Sequence, residues 1–415
     1  MSSVIISHPT KVVKGTINLP ASKSISNRLL LMKAVAGFDD LEIHNLSNAK
    51  DTQTLQGILS NLHSNNTIDV HDAGTVMRFL TAYVCCIEGE WILTGSERMQ
   101  QRPIGALVDV LRKMGADIEY VKNENYPPLK IRGKKLKGGK IEIDGSVSSQ
   151  FISALLMVSP LFTEPLELYI KKDLVSTPYV DMTLKLIKEW GGDYNWKENI
   201  ISIENKPYQR PKETVFVESD WSAASYFYSI LSLAKEGEIV LPNLFKNSLQ
   251  GDSACISLFE ELGVSTELTE NSVVLRKTNF NKDTFSYNFI NCPDIAQTLA
   301  VCCTAKNIKA DLQGLQTLSI KETDRISALK TELGKFNVKV ITSADSITIN
   351  PSHISNLSSQ ISTYKDHRMA MSFAPLALCC DEIEIENPAV VEKSFPHFWN
   401  ELKRIGFSIY NSDLK

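Results

Sequence analysis

Residues 20–28 read Pro20-Ala-Ser-Lys-Ser-Ile-Ser-Asn-Arg28 and run straight into Leu29-Leu-Leu-Met-Lys-Ala-Val-Ala36. Ser22 and Ser24 are good N-cap types, so a helix is predicted to open here. Its first turn would present free N–H groups and the positive end of the macrodipole, where Lys23 and Arg28 are unfavourable. An anion shared between those N–H groups, the serine hydroxyls and the two cations would remove the conflict. A solvated lysine and arginine on a surface turn is the competing reading of this stretch alone. The same conflict recurs further along. Tyr364-Lys-Asp-His-Arg-Met369 puts Arg368 at the start of an apolar run, and Arg102 precedes a proline suited to the first position of the next helix. Lys393 falls in a loop before Pro396, and Ser148-Ser149-Gln150 adds neutral donors. Ser319-Ile-Lys-Glu-Thr-Asp-Arg325 reads as a helix entry with Ser319 or Thr323 near the cap. Lys321 and Arg325 would then share a face. A helix with exposed ion pairs is an equally good reading there. Asp294, beside Pro293, and Glu322 are the carboxylates available for proton transfer among these cations.

The elements that must position these residues repeat. Taking Ser24, Thr75, Ser149, Ser222, Asp294 and His367 as markers of a polar motif opening an apolar run, the intervals are 51, 74, 73, 72 and 73 residues. A second register agrees. Helical patterns end at Gly115, Gly191, Gly263, Asn337 and Gly406, spaced 76, 72, 74 and 69 residues apart. Glycine and asparagine are the residues that take a left-handed helix cap easily. Two short strands around a turn follow, as in 116–132, so the unit is helix, strand, helix, hairpin, with one unit shortened. The motif-led helices are apolar nearly all round and should be buried; those ending at the glycines have charged faces and should lie outside. Three buried helices per domain is the natural packing. Run parallel, they would bring their polar N-termini to one end.

Bulk composition fits this reading. The 415 residues exceed what one core supports, so two domains are expected, and 43% hydrophobic residues suffice to pack them. A net charge of −4 from 44 basic and 48 acidic side chains, with no basic run, argues against general nucleic-acid or membrane-surface binding. The N-terminal residues lack a signal-like pattern and no segment is long and apolar enough to span a bilayer, so a cytoplasmic protein is expected. The eight cysteines, three pairs of them adjacent, lack metal-ligand spacing and read as reduced core residues. No metal is expected, since neither cysteines nor histidines show ligand spacing, and no cofactor, since P-loop and dinucleotide motifs are missing; the nucleophile elbow of a hydrolase is missing too. Of the seven histidines only His367 sits in a motif.

Taken in order, Pro20–Arg28, Ala73-Gly-Thr-Val-Met-Arg78, Arg102-Pro-Ile, Ser148-Ser-Gln150, Lys321-Glu-Thr-Asp-Arg325 and Asp366-His-Arg-Met369 resemble the 5-enolpyruvylshikimate-3-phosphate synthase family over essentially the whole chain. The resemblance implies an α/β fold, a two-domain inside-out α/β barrel with three βαβαββ units and buried parallel helices in each domain. Residues 1–20 plus 219–415 would form a discontinuous domain holding both termini. Residues 21–218 would be inserted into it, with the active site in the cleft between them. The implied reaction transfers the enolpyruvyl group of phosphoenolpyruvate to the 5-hydroxyl of shikimate 3-phosphate, in aromatic amino-acid synthesis. The substrates carry two phosphates and two carboxylates between them. By resemblance, Lys23, Ser24, Arg28, Ser148, Ser149, Gln150, Ser176, Tyr179, Asp294 and Lys321 hold shikimate 3-phosphate. Lys23, Gly74, Arg102, Gln150, Arg325, Arg368 and Lys393 hold phosphoenolpyruvate. Asp294 would be the base, Glu322 the group exchanging protons with the methylene carbon, and Lys23, Arg102 and Lys393 the neutralising charges for departing phosphate. Beyond its two small substrates the enzyme is expected to act as a monomer.

Two positions depart from the family pattern: Asp72 stands where asparagine is frequent, and Thr317 where asparagine often precedes the K-E-T-D-R motif. The family is the target of glyphosate. The nearest alternative is the enolpyruvyl transferase acting on UDP-N-acetylglucosamine, although residues 97–102 offer no reactive-cysteine loop. A scaffold that binds anions without chemistry is the alternative from another class.

Overall fold

The computed structural model describes residues 2–351 and 360–412. Residues 1, 352–359 and 413–415, with His353 and the outer limits expected for the discontinuous domain, lie outside that description. The chain divides into two compact units, Ser22–Val217 and Met1–Ala21 with Glu218–Lys415. It leaves and re-enters the second of these side by side, Ala21 bridging Ser219.

In the unit of residues 22–217 the helices are α1 (Lys23–Ala36), α2 (Lys50–Ser60), α3 (Gly74–Cys86), α4 (Gly105–Lys113), α5 (Ser149–Met157) and α6 (Thr177–Glu189). Helices α1, α3 and α5 pack on one another, as their apolar perimeters require; α3 is buried at every position except Thr75. Two sheets of four strands accompany them. Thr67–Asp69 runs parallel to Gly89–Thr94, which pairs antiparallel with Leu129–Gly133 and, beyond it, Asp117–Tyr120. Gly139–Asp144 runs parallel to Leu166–Lys171, followed by Ile200–Ile203 and Tyr194–Lys197. In each, a buried helix joins the parallel pair, and an outer helix ending in a left-handed glycine (φ 100° at Gly115, 79° at Gly191) leads into the hairpin. The third sheet has two strands, Ile43–His44 parallel to Val215–Phe216. This is the shortened unit: after α2 the chain makes no hairpin, which accounts for the 51-residue interval.

The other unit carries α7 (Trp221–Leu233), α8 (Cys255–Glu260), α9 (Ala296–Ala305), α10 (Arg325–Gly334), α11 (His367–Phe373) and α12 (Phe398–Arg404). Helices α7, α9 and α11 pack together in register. Ser225 near the start of α7 bonds Thr298 near the start of α9 at 3.3 Å, and Thr298 bonds Ser372 of α11 at 3.4 Å. Nearer the other ends of α7 and α9, Lys306 donates to the Ser232 carbonyl at 3.0 Å, so those two helices run parallel. Three four-stranded sheets repeat the same order of one parallel and two antiparallel pairs. One departs from the repeat predicted by sequence. After Gly406 a single strand, Ser408–Asn411, completes its antiparallel ladder with Ser3–Ser7 from the other end of the chain. Among the described residues the sheets stay separate in their hydrogen bonding. All eight cysteines are free thiols, and all but Cys379 are fully buried. No helix among the described residues is long and apolar enough to cross a membrane.

Candidate active site

The unit of residues 22–217 gathers Lys23, Ser24, Arg28, Gly74, Arg102, Ser148, Ser149, Gln150, Ser176 and Tyr179 around helix N-termini. Ser22 caps α1 by accepting from the Ile25 N–H, and Ser148 caps α5 by accepting from the Gln150 N–H at 3.2 Å. Gln150 Nε2 donates to Thr75 Oγ1 at 3.1 Å, tying the mouth of α5 to that of α3. Ser176 occupies the N-cap position of α6 in a left-handed conformation (φ 55°), its side chain making no capping hydrogen bond. Arg28 is 2% exposed. Its Nε donates to Thr183 Oγ1 at 2.7 Å, Nη1 to the Ser24 carbonyl at 2.9 Å, and Nη2 to Ser153 Oγ and the Tyr179 carbonyl. It lies over the Phe79 and Tyr179 rings, and burial lowers its pKa to about 10, which leaves it charged at neutral pH. Arg28 is thus held largely by the protein.

The mouth of α3 differs. Ala73 gives it no side-chain cap, and the Arg102 guanidinium lies against its first residue: a Cβ on Gly74 would come within 2.5 Å of Nη1. Arg102 is 9% exposed, and its Nε is buried with no hydrogen-bond partner among the described residues. Here a cation faces an uncapped positive helix end, the arrangement an anion resolves. Pro103 does not open α4 as predicted: Arg102 before it ends the short turn Met99–Gln101, and α4 starts only at Gly105. Sequence reading missed two positioning groups. Arg78 donates to the Gly74 carbonyl at 2.9 Å and the Pro103 carbonyl at 3.3 Å, clamping the Arg102 segment to α3. Asp51, 5% exposed on α2, holds Lys23 Nζ at 3.1 Å. Asp72 is exposed and accepts from Ser96 Oγ.

In the other unit, Asp294, Lys321, Glu322, Arg325, Arg368 and Lys393 form one network. Arg325, 1% exposed, donates Nε to Asp366 at 2.7 Å, Nη1 to Asp294 at 3.1 Å and Nη2 to Glu322 at 3.0 Å. Arg368 Nη2 meets Asp294 Oδ2 at 3.0 Å, Lys321 Nζ approaches Asp294 Oδ1 at 3.7 Å, and Lys393 Nζ meets Glu322 Oε1 at 2.9 Å. Burial alone would raise the Asp294 pKa, but Arg368, Lys321 and Arg325 override it and hold the carboxyl well below its usual range. The Arg325 pKa moves upward because Asp366, Glu322 and Asp294 outweigh the cost of burial. Asp366 also caps α11 by accepting from the Arg368 N–H at 2.9 Å. The helix entry at 319–325 needs correction. Asp324, not Ser319 or Thr323, is the cap, accepting from Ile326 and Ser327, so Lys321 and Glu322 precede the helix and share no helical face with Arg325. Thr317 Oγ1 and the neighbouring Gln316 Oε1 are buried with no hydrogen-bond partner among the described residues.

The sequence profile of EPSP synthase (3-phosphoshikimate 1-carboxyvinyltransferase) matches residues 7–72 and 61–402. The chain belongs to the EPSP synthase family. A 3-phosphoshikimate 1-carboxyvinyltransferase of Bacteroides fragilis is 46% identical over 408 residues, 98% of each chain. One from Photobacterium profundum is 37% identical over 96% of this chain and 97% of its own. The solved EPSP synthase of Acinetobacter baumannii superposes with a TM-score of 0.79 at 20% identity, covering 99% of this chain and all of that one, which shows the same two-domain mixed α/β fold. The family expected from the motifs is the family found, and its members are transferases.

Proposed function

We infer that the chain transfers the enolpyruvyl group of phosphoenolpyruvate to the 5-hydroxyl of shikimate 3-phosphate, releasing phosphate, in the shikimate pathway of aromatic amino-acid synthesis. The observation that carries the chemistry is the uncapped mouth of α3, with the buried Arg102 guanidinium laid on Gly74. We assign phosphoenolpyruvate to Lys23, Gly74, Arg102, Gln150, Arg325, Arg368 and Lys393. Shikimate 3-phosphate goes to Lys23, Ser24, Arg28, Ser148, Ser149, Gln150, Ser176, Tyr179, Asp294 and Lys321. Both sets draw on residues of both units, the discontinuous domain of residues 1–20 with 219–415 and the inserted domain of 21–218. Their three βαβαββ units each, the first one truncated, support an inside-out barrel with helices in its interior. The free cysteines fit a reducing compartment, the cytoplasm.

Asp294 is the base for the 5-hydroxyl proton, and the network sets a condition on it. Held by three cations its pKa is far below neutrality, which makes it a poor proton acceptor. Substrate anions that draw Arg368 and Lys321 to themselves weaken that hold and raise its basicity. Glu322, bridging Arg325 and Lys393, exchanges protons with the methylene carbon, and Lys23, Arg102 and Lys393 neutralise departing phosphate. A phosphate-release assay with phosphoenolpyruvate and either shikimate 3-phosphate or UDP-N-acetylglucosamine tests the reading. Release only with the nucleotide sugar, or with neither acceptor, overturns it.

A further inference from the structure

Asp252 belongs to none of the sets above. It lies in the turn Gly251–Ala254 that leads into α8 and is 3% exposed. Its two oxygens have different fates. Oδ2 accepts a close hydrogen bond from Ser222 Oγ, whereas Oδ1 is buried with no hydrogen-bond partner among the described residues. A carboxylate in that position is costly unless something depends on it. Ser222 occupies the first turn of α7, and its hydroxyl has one proton. With that proton directed to Asp252, only lone pairs face Arg368, whose Nη2 lies 3.4 Å from Ser222 Oγ. The same Nη2 meets Asp294 Oδ2 at 3.0 Å, so its two hydrogens have one acceptor each. Nη1 lies 3.3 Å from the Tyr226 hydroxyl. These contacts fix the plane of the guanidinium, and Asp252 sets the direction of the serine among them.

We propose that Asp252 is a positioning residue for Arg368: by accepting the Ser222 hydroxyl's hydrogen bond it turns the hydroxyl lone pairs onto Nη2 and holds the guanidinium where it meets the phosphoenolpyruvate anion. The inference rests on the assignment of Arg368 to phosphoenolpyruvate. A role confined to the α8 N-terminus would place the carboxylate against that helix's own N–H groups at the surface; here it is buried and spent on α7. The electrostatic surroundings agree. Burial, then the Asp294 charge, push the Asp252 pKa up to about 7, while Arg368 pulls against them, so the carboxyl feels both members of the pair it serves.

Steady-state phosphate release on Asp252→Asn, Ser222→Ala, Ser222→Thr, Arg368→Lys and the Asp252→Asn/Ser222→Ala double variant tests the chain of contacts, with each substrate varied in turn. Losing one orienting hydrogen bond should raise KM for phosphoenolpyruvate about five- to tenfold in Asp252→Asn and Ser222→Ala, with KM for shikimate 3-phosphate within about twofold. Ser222→Thr, which keeps the hydroxyl, should restore KM. The double variant should be no worse than the poorer single variant, because both changes break one path. Equal rises for both substrates, no rise for phosphoenolpyruvate, or multiplying effects overturn the proposal. If Asp252→Asn does not fold, the Ser222→Ala and Ser222→Thr pair decides alone. An unchanged KM for phosphoenolpyruvate in Arg368→Lys removes the underlying assignment as well. A raised KM there beside a normal Asp252→Asn removes the positioning role only.

Discussion

Gly74→Ala puts one methyl group at the mouth of α3 and asks whether Arg102 works from the place it occupies. The new Cβ would stand 2.5 Å from Arg102 Nη1 and 2.9 Å from its Cζ and Nη2. Since ordinary contact begins near 3.4 Å, the guanidinium must retreat by about 1 Å. The obstacle is the end of a flexible side chain, so the fold should give little, and alanine favours a helix over glycine by up to about 1 kcal/mol. A guanidinium displaced that far loses at least one charge-assisted hydrogen bond to an anion, worth about 1.5–3 kcal/mol. KM for phosphoenolpyruvate should therefore rise roughly 10- to 100-fold, with KM for shikimate 3-phosphate little changed and the melting temperature equal or higher. Phosphate release with each substrate varied, beside thermal melts, reads both halves. An unchanged KM for phosphoenolpyruvate refutes the placement of that anion at α3. A melting temperature several degrees lower shows that the clash is taken up by the backbone instead.

Lys23→Ala should lower kcat/KM by about 100-fold or more, and Asp51→Asn, which removes the charge held 3.1 Å from Nζ, by about 10-fold; an effect of Lys23→Ala under fivefold in the same assay would make it an ordinary surface charge. Arg325→Ala strands Asp366, Glu322 and Asp294 around a cavity and should cost about 3–5 kcal/mol in urea unfolding, with Arg325→Lys costing less; a loss below about 1 kcal/mol would show the network contributes little. Asp252 has its folded pKa raised from 3.8 to about 7, so its stabilising contribution is complete below about pH 4 and is lost as pH climbs to about 7. Asp252→Asn should thus gain stability over the wild type by on the order of 1 kcal/mol per pH unit across that window and hold the gain above it, and a pH-independent difference in unfolding free energy would refute the shift.

What sequence made legible was periodic. The two registers of about 73 residues locate the buried helices, the outer helices and the left-handed caps, because helix burial and chain reversal depend on local patterns of apolar residues and glycine. The boundary errors are equally local. At Arg325 an aspartate one residue before the helix outcompetes the serine and threonine upstream as cap, and at Arg102 the turn Met99–Gln101 delays α4 to Gly105. The residues missed share another property. Asp51 and Asp252 look like ordinary acids complementing a helix start, and Asp366 like a cap; only folding brings Asp366 to Arg325, 41 positions away, or Ser222 to Arg368, 146 positions away. No spacing rule on one sequence reaches such pairs.

Cations at positive helix ends therefore do not all demand an external anion. At α1 the protein answers much of the conflict itself, through serine and threonine hydroxyls, backbone carbonyls and two aromatic faces around Arg28 and through Asp51 at Lys23. At α11 it answers with carboxylates: Asp366 caps the helix and binds Arg325, while Asp294 takes Arg368. At α3 it leaves the demand standing. On the proposed roles this division has a chemical use. The Arg102 site can attract an anion without first giving up an internal partner, whereas the Asp294 network must trade one of its own ion pairs for a substrate's. That trade frees the base from the charges that suppress it, so proton abstraction from the 5-hydroxyl becomes favourable only as the anions arrive.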